Sequence, residues 1–191
     1  MLTKYIFVAD GDFKLFLSEL IAEQYCQDGE HHLVSFSPSI EATWKRYPWD
    51  SRMLLPWMHK NGHSAWAKYS GLSKRLHTIV DHIGEISNGA DRIVLHMYQI
   101  YSERTNYMIN YLRRRYPQAK LNVRLIPDGT LNLTRRPMHG VRRLPQYVNR
   151  LKWMFHPDLN YYCYEGDRLG AEAEVVDRIY LPEGFPHKYD P

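Results

Sequence analysis

Apolar positions along the chain alternate between the period of a buried strand and that of an amphipathic helix. Tyr5-Ile6-Phe7-Val8-Ala9 is a continuous apolar run that predicts a short strand buried on both faces. Asp10-Gly11-Asp12 follows, and over 13–25 Phe13, Phe16, Leu17, Leu20 and Ile21 recur at helical spacing. His32-Leu33-Val34-Ser35-Phe36 predicts a second strand, closed by Pro38. Residues 40–63 are rich in Trp, Pro and Met with no clean period, which predicts a long loop with at most one helical turn. A helix over 64–87 places Leu72, Leu76, Ile79, Val80 and Ile83 toward the core and ends at Asn88-Gly89.

The most informative stretch comes next. Arg92-Ile93-Val94-Leu95-His96-Met97-Tyr98 predicts a strand, Ser102 can cap a helix running to about Tyr116, and Pro117 stops it. Leu121-Asn122-Val123-Arg124-Leu125-Ile126 predicts another strand, and Pro127-Asp128-Gly129 turns away from it. Crossover rules make the two strands of such a β-α-β unit parallel, so His96 and Asp128 are expected near the same carboxyl edge, facing a shared cleft. A helix over 144–153, a strand over 161–164, a short helix over 167–173 and a last strand over 175–181 complete the pattern. Such alternation predicts a Rossmann-like α/β fold: a mainly parallel sheet with helices on both faces. The domain is expected to span 1–180. Residues 181–191 carry three prolines and read as a linker or as the start of a second domain absent from this chain.

Composition narrows the class. With 191 residues, 44% hydrophobic and 24% charged, the chain is long and apolar enough to bury a core. No apolar run approaches the roughly 18 to 20 residues of a membrane span, and no signal peptide is apparent, so a cytoplasmic location is expected, at most peripheral to the inner face of the membrane. Cys26 and Cys163 do not form a disulfide or zinc pattern, and no metal site is expected. Between Arg113 and Lys152 there are eleven Lys or Arg residues and one acid, Asp128. Nearby cations favour the charged form of a carboxyl group, which suits Asp128 to act as a base. The same basic run favours an anionic partner, whether an acidic sugar, an anionic membrane surface or nucleic acid.

The order of these features resembles the N-terminal domain of bacterial sialyltransferases of the two-domain GT-B type. That family carries an Asp/Glu-Asp-Gly signature after a strand, preceded by a histidine-bearing strand and a helix. Here Ile126-Pro127-Asp128-Gly129-Thr130 and His96 match it, with Pro127 standing in place of the first acidic residue. Tyr5-Ile6-Phe7-Val8-Ala9-Asp10 and the helix after it resemble the family's opening. The resemblance implies the acceptor-side half of an inverting glycosyltransferase of surface polysaccharide or lipopolysaccharide synthesis. Asp128 would take the proton from an attacking glycan hydroxyl, and His96 would contact the acceptor or assist as charge develops. Gly129, Thr130, Asn132 and, more weakly, Asn106 would line the acceptor site. The resemblance further implies no cofactor: the donor, CMP-sialic acid, is a substrate held mostly by a second domain, so this chain alone is expected to be inactive.

Two other classes fit parts of the sequence. A basic, non-enzymatic α/β module could bind nucleic acid or a membrane surface, although no RNA- or DNA-binding signature is present and nucleic acid is the less favoured partner. A haloacid-dehalogenase-type phosphatase would use Asp10 and Asp12, but Phe13-Lys14 follow where that motif needs Thr or Val. Trp44, Trp49, Trp57 and Trp66 suit either sugar stacking or packing. His156-Pro157 reads as a helix ending.

Overall fold

The computed structural model describes residues 1–42, 46–55, 65–126, 137–154 and 160–181, with the side chains of 41–42, 65–73 and 152–153 excepted. Its centre is a six-stranded, wholly parallel sheet. The strands are β1 (Thr3–Ala9), β2 (Glu30–Ser35), β3 (Ser51–Leu54), β4 (Arg92–Met97), β5 (Lys120–Leu125) and β6 (Val176–Ile179), in the spatial order β3-β2-β1-β4-β5-β6. This is the order of a doubly wound Rossmann-type sheet, as the alternation of periods predicts.

Side chains alternate across the pleat, so each central strand feeds two cores. Ile6 and Val8 of β1, Ile93, Leu95 and Met97 of β4, and Val123 and Leu125 of β5 face helices α2 (Ala65–Ser87) and α3 (Glu103–Arg115). Tyr5, Phe7 and Ala9 of β1, Leu33 of β2 and Val94 of β4 face the other way, onto Leu15, Ile21 and Ala22 of α1 (Asp12–Tyr25). Trp49 closes that second core edge-on against Phe7, with ring centroids 5.2 Å apart. Gly89, at φ 74°, gives α2 the left-handed ending that Asn88-Gly89 predicts. Among the described residues no helix is long and apolar enough to cross a membrane.

Three expectations change. The span 40–63 contains β3, whose four half-exposed residues are too few to show a period; a tight turn over Pro38–Ala42 precedes it. Residues 167–173 form successive turns instead of a helix. Gly166 just before them and Gly170 among them lie at φ 98° and 85°, and Ile100 packs so closely over Gly170 that a Cβ would stand 2.8 Å from it. The segment 161–164 belongs to no sheet; side-chain amides meet its backbone instead. Asn106 donates to the Tyr162 carbonyl at 3.0 Å and accepts from its N–H at 2.7 Å. Gln146 does the same for Tyr164, at 3.1 and 2.9 Å, and Asn110 donates to the Asn160 carbonyl at 2.8 Å. The remaining helix, expected over 144–153, is α4 (Leu144–Arg150), with tight turns over Gly140–Arg143 and Leu151–Met154.

Asn106 is fully buried, so truncating it leaves a buried donor and a buried acceptor on Tyr162 without partners. Asn106→Ala is expected to lower unfolding stability by about 3 kcal/mol. A surface control such as Arg114→Ala should stay within about 0.5 kcal/mol of the parent, both read from denaturant midpoints.

Candidate functional site at the carboxyl edge

In a sheet of this order the winding direction reverses between β1 and β4, and a crevice opens there beyond the carboxyl ends of the strands. Asp10 directly follows β1 and Tyr98 directly follows β4. Lys14 comes from the first turn of α1, and Arg104 from the first turn of α3. The four side chains meet. Lys14 Nζ lies 2.7 Å from Asp10 Oδ1, and Arg104 donates at 3.2 Å both to Asp10 Oδ2 and to the Tyr98 hydroxyl. Lys14 Nζ also sits 3.6 Å above the centre of the Tyr98 ring, and the Arg104 guanidinium 5.1 Å from that of Phe36.

Burial alone would raise the pKa of Asp10, but the bond and charge of Lys14, the Tyr98 hydroxyl and Arg104 outweigh it and hold the carboxyl below its usual range. Burial pushes the Tyr98 hydroxyl up to about 12, so it stays protonated as a donor. The cluster therefore joins two cations to one anion between the amino ends of two helices, neither closed by a side-chain cap. Asp12 and Glu103 stand in the first turns of the same two helices, where they meet the positive ends of the dipoles, so the edge gathers both donors and acceptors and suits a hydroxyl-rich ligand. A separate surface cavity of about 340 Å³ opens at the opposite, amino edge, bounded by Arg113, Tyr116, Leu121 and Glu174. It lies away from the edge where sheets of this order place their ligands.

The sequence candidates distribute unevenly. Asp128, Gly129, Thr130 and Asn132 lie outside the described residues, as do Trp44, Trp57 and His156-Pro157. The peptide of Ile126 is the last described before them; it donates to the Met97 carbonyl at 2.8 Å, holding the ends of β4 and β5 level. His96 is wholly buried on the α1 side, its ring stacked at 4.2 Å on Phe7. Its Nε2 lies 3.3 Å from the Tyr180 hydroxyl and 3.9 Å from the Cys26 sulfur. Burial first, then the charges of Arg124, His31 and Arg178, press its pKa well below the usual histidine value. Asn106 is engaged by Tyr162, and Trp49 is core. Burial likewise raises Cys26, to about 11, leaving an unreactive thiol. Among the described residues no cluster of three or more His, Cys, Asp or Glu could hold a metal ion.

Sequence reasoning did not single out Lys14, Tyr98 and Arg104. The signal lies in the strand order, since only the neighbouring of β1 and β4 joins these residues, and β3 had to be recognised before that order could be drawn.

No family model and no curated protein matches the chain. Among solved structures it is similar to TubZ of Clostridium botulinum phage c-st, in a form truncated at its C-terminal tail, with TM-score 0.42 and 12% identity over 65% of this chain and 40% of that one. It is also similar to the glycotransferase of kitacinnamycin, with TM-score 0.41 and 10% identity over 82% and 36%. The chain thus spans 40% and 36% of the lengths of these two proteins, and likenesses at this level carry no functional argument.

The ionised state of Asp10 has a measurable signature. A carboxyl whose folded pKa is depressed adds stability that is complete above its unfolded pKa of about 3.8 and is lost as pH falls through the lower folded value. Asp10→Asn is expected to cost about 2 kcal/mol at pH 7, with the gap from the parent closing below about pH 3.8 in chemical denaturation. His96 acts in the opposite range. Its unfolded form takes up a proton near pH 6.5 that the folded form refuses, so the parent loses stability as pH falls below about 6.5. His96→Asn should reduce that slope, read from the same denaturation series.

Proposed function

We propose that the chain is the acceptor-side half of a two-domain glycosyltransferase of sialyltransferase-like type, with its acceptor at the carboxyl edge and Asp128 as the general base. One observation carries the reading: the parallel order β3-β2-β1-β4-β5-β6, which brings the end of β5, where Pro127-Asp128-Gly129 begins, to the same edge as the Asp10, Lys14, Tyr98 and Arg104 cluster. A sugar hydroxyl attacking an anomeric carbon needs a carboxylate to take its proton, and a positioned base contributes on the order of 10² to 10⁴ in rate. Lys14, Arg104 and the Tyr98 hydroxyl supply donors, and Asp10 an acceptor, of the kind a polyhydroxylated acceptor requires. In this reading His96 and Asn106 support the crevice from inside the two cores, while Gly129, Thr130 and Asn132 line it near the base.

The donor, CMP-sialic acid or a related nucleotide sugar, would be held mainly by a second domain. The chain alone is accordingly expected to bind acceptor glycans weakly, with line-broadening in ligand-observed NMR, and to transfer nothing from a nucleotide sugar. Turnover by residues 1–191 would overturn the division into halves. In a full-length enzyme, Asp128→Asn should lower kcat by about 10² to 10⁴ with an unchanged unfolding midpoint. Retained transfer would remove Asp128 from the base role.

A further inference from the structure

The helical run 140–154 is built inside out. Gln146 of α4 is buried, its amide spent on the Tyr164 backbone, and the carbonyl of Asn149 accepts from the Tyr107 hydroxyl at 3.3 Å. Polar groups thus fasten the run to the body. Its described large apolar side chains point the other way: Val141, Leu144, Tyr147, Val148, Leu151 and Met154 are 47% to 85% exposed. Their spacing of three and four places them on one stripe of a helix. An ordinary surface helix does the reverse, and a contiguous exposed apolar patch marks a surface that another phase or molecule covers.

Charge identifies the cover. From Gly129 to Pro157 the sequence holds six Lys or Arg residues and no Asp or Glu. Arg142 and Arg150 are exposed beside the stripe, and the Arg143 guanidinium lies 5.7 Å from the ring centre of Tyr147. The one acid placed against the run is Glu165, paired with Arg143 at 2.7 Å, which leaves the exposed Arg142 and Arg150 as the charges beside the stripe. A helix with large apolar residues on one side and basic residues around them, itself free of acids, has the chemistry of an element lying in the plane of an anionic bilayer. A partner protein of ordinary composition would present cations as well as anions, and nothing in the run is placed to meet them. We propose that residues 140–154 form a membrane-surface anchor that seats Val141, Leu144, Val148 and Leu151 among the acyl chains of an anionic leaflet, with Arg142 and Arg150 at its phosphates. This inference stands independently of the proposed transferase activity.

The test is sedimentation of the whole chain with vesicles of mixed phosphatidylglycerol and phosphatidylcholine, and with vesicles of phosphatidylcholine alone. Binding is expected to the mixed vesicles, falling steeply between about 0.1 M and 1 M salt as the screening length drops from roughly 10 to 3 Å. The triple variant Leu144→Ser, Val148→Ser, Leu151→Ser should bind roughly tenfold or more weakly. These three side chains are exposed, so its circular dichroism and melting midpoint should match the parent. Arg142→Ser with Arg150→Ser should also weaken binding, whereas Arg114→Ser with Arg115→Ser, an equal charge change on α3, should not. Absence of vesicle binding by the parent, or binding indifferent to the triple variant, overturns the proposal. So does a parent that self-associates in sedimentation equilibrium, ignores vesicles and becomes monomeric in the triple variant, because the stripe would then be covered by a second copy.

Discussion

The chain between β5 and β6 depends on a substitution of side chains for a neighbouring strand. An extended backbone presents N–H and C=O groups that must be paired once buried, and the usual remedy is another strand. Around 160–164 the remedy is three amide side chains, Asn110, Asn106 and Gln146, which meet Asn160, Tyr162 and Tyr164 in turn. Two come from α3 and one from α4, so the same bonds that satisfy the backbone fix both helices to it. The rings of Tyr161, Tyr162 and Tyr164 then complete the core on the α2 and α3 side of the sheet.

This arrangement also marks where sequence ceases to be readable. The central strands were legible because burial on both faces produces continuous apolar runs, as in Tyr5-Ile6-Phe7-Val8-Ala9 and Arg92-Ile93-Val94-Leu95-His96-Met97. Helices α1 and α2 were legible from their period. Tyr161-Tyr162-Cys163-Tyr164 has the composition of a strand but joins no sheet, and composition cannot say whether the partner of its backbone is a strand or an amide side chain. For 167–173, Gly166 just before it and Gly170 within it, both at positive φ, overrode a weak helical pattern.

Functional residues divide in the same way. Asp10 stood at the end of a legible strand, but its partners Lys14, Tyr98 and Arg104 are gathered only by strand order. His96 illustrates the opposite difficulty. A histidine late in a parallel strand is a reasonable candidate for edge chemistry, yet the pleat decides which core it enters. Here it faces α1, stacks on Phe7 and is kept neutral by burial among cations. Whether a strand-end polar residue reaches the crevice is a question of its last few ångströms, which no period encodes.

The outer strands of the sheet are its shortest, with four residues each in β3 and β6. Each carries charge into the middle of its run, Arg52 in the first and Asp177-Arg178 in the second, and Asp177 lies 3.5 Å from Arg124 on the neighbouring strand. Brief, charged margins offer a poor template for further backbone pairing. The described sheet thus resists sideways growth, and its ends and helices are better placed than its margins to meet an additional domain or chain.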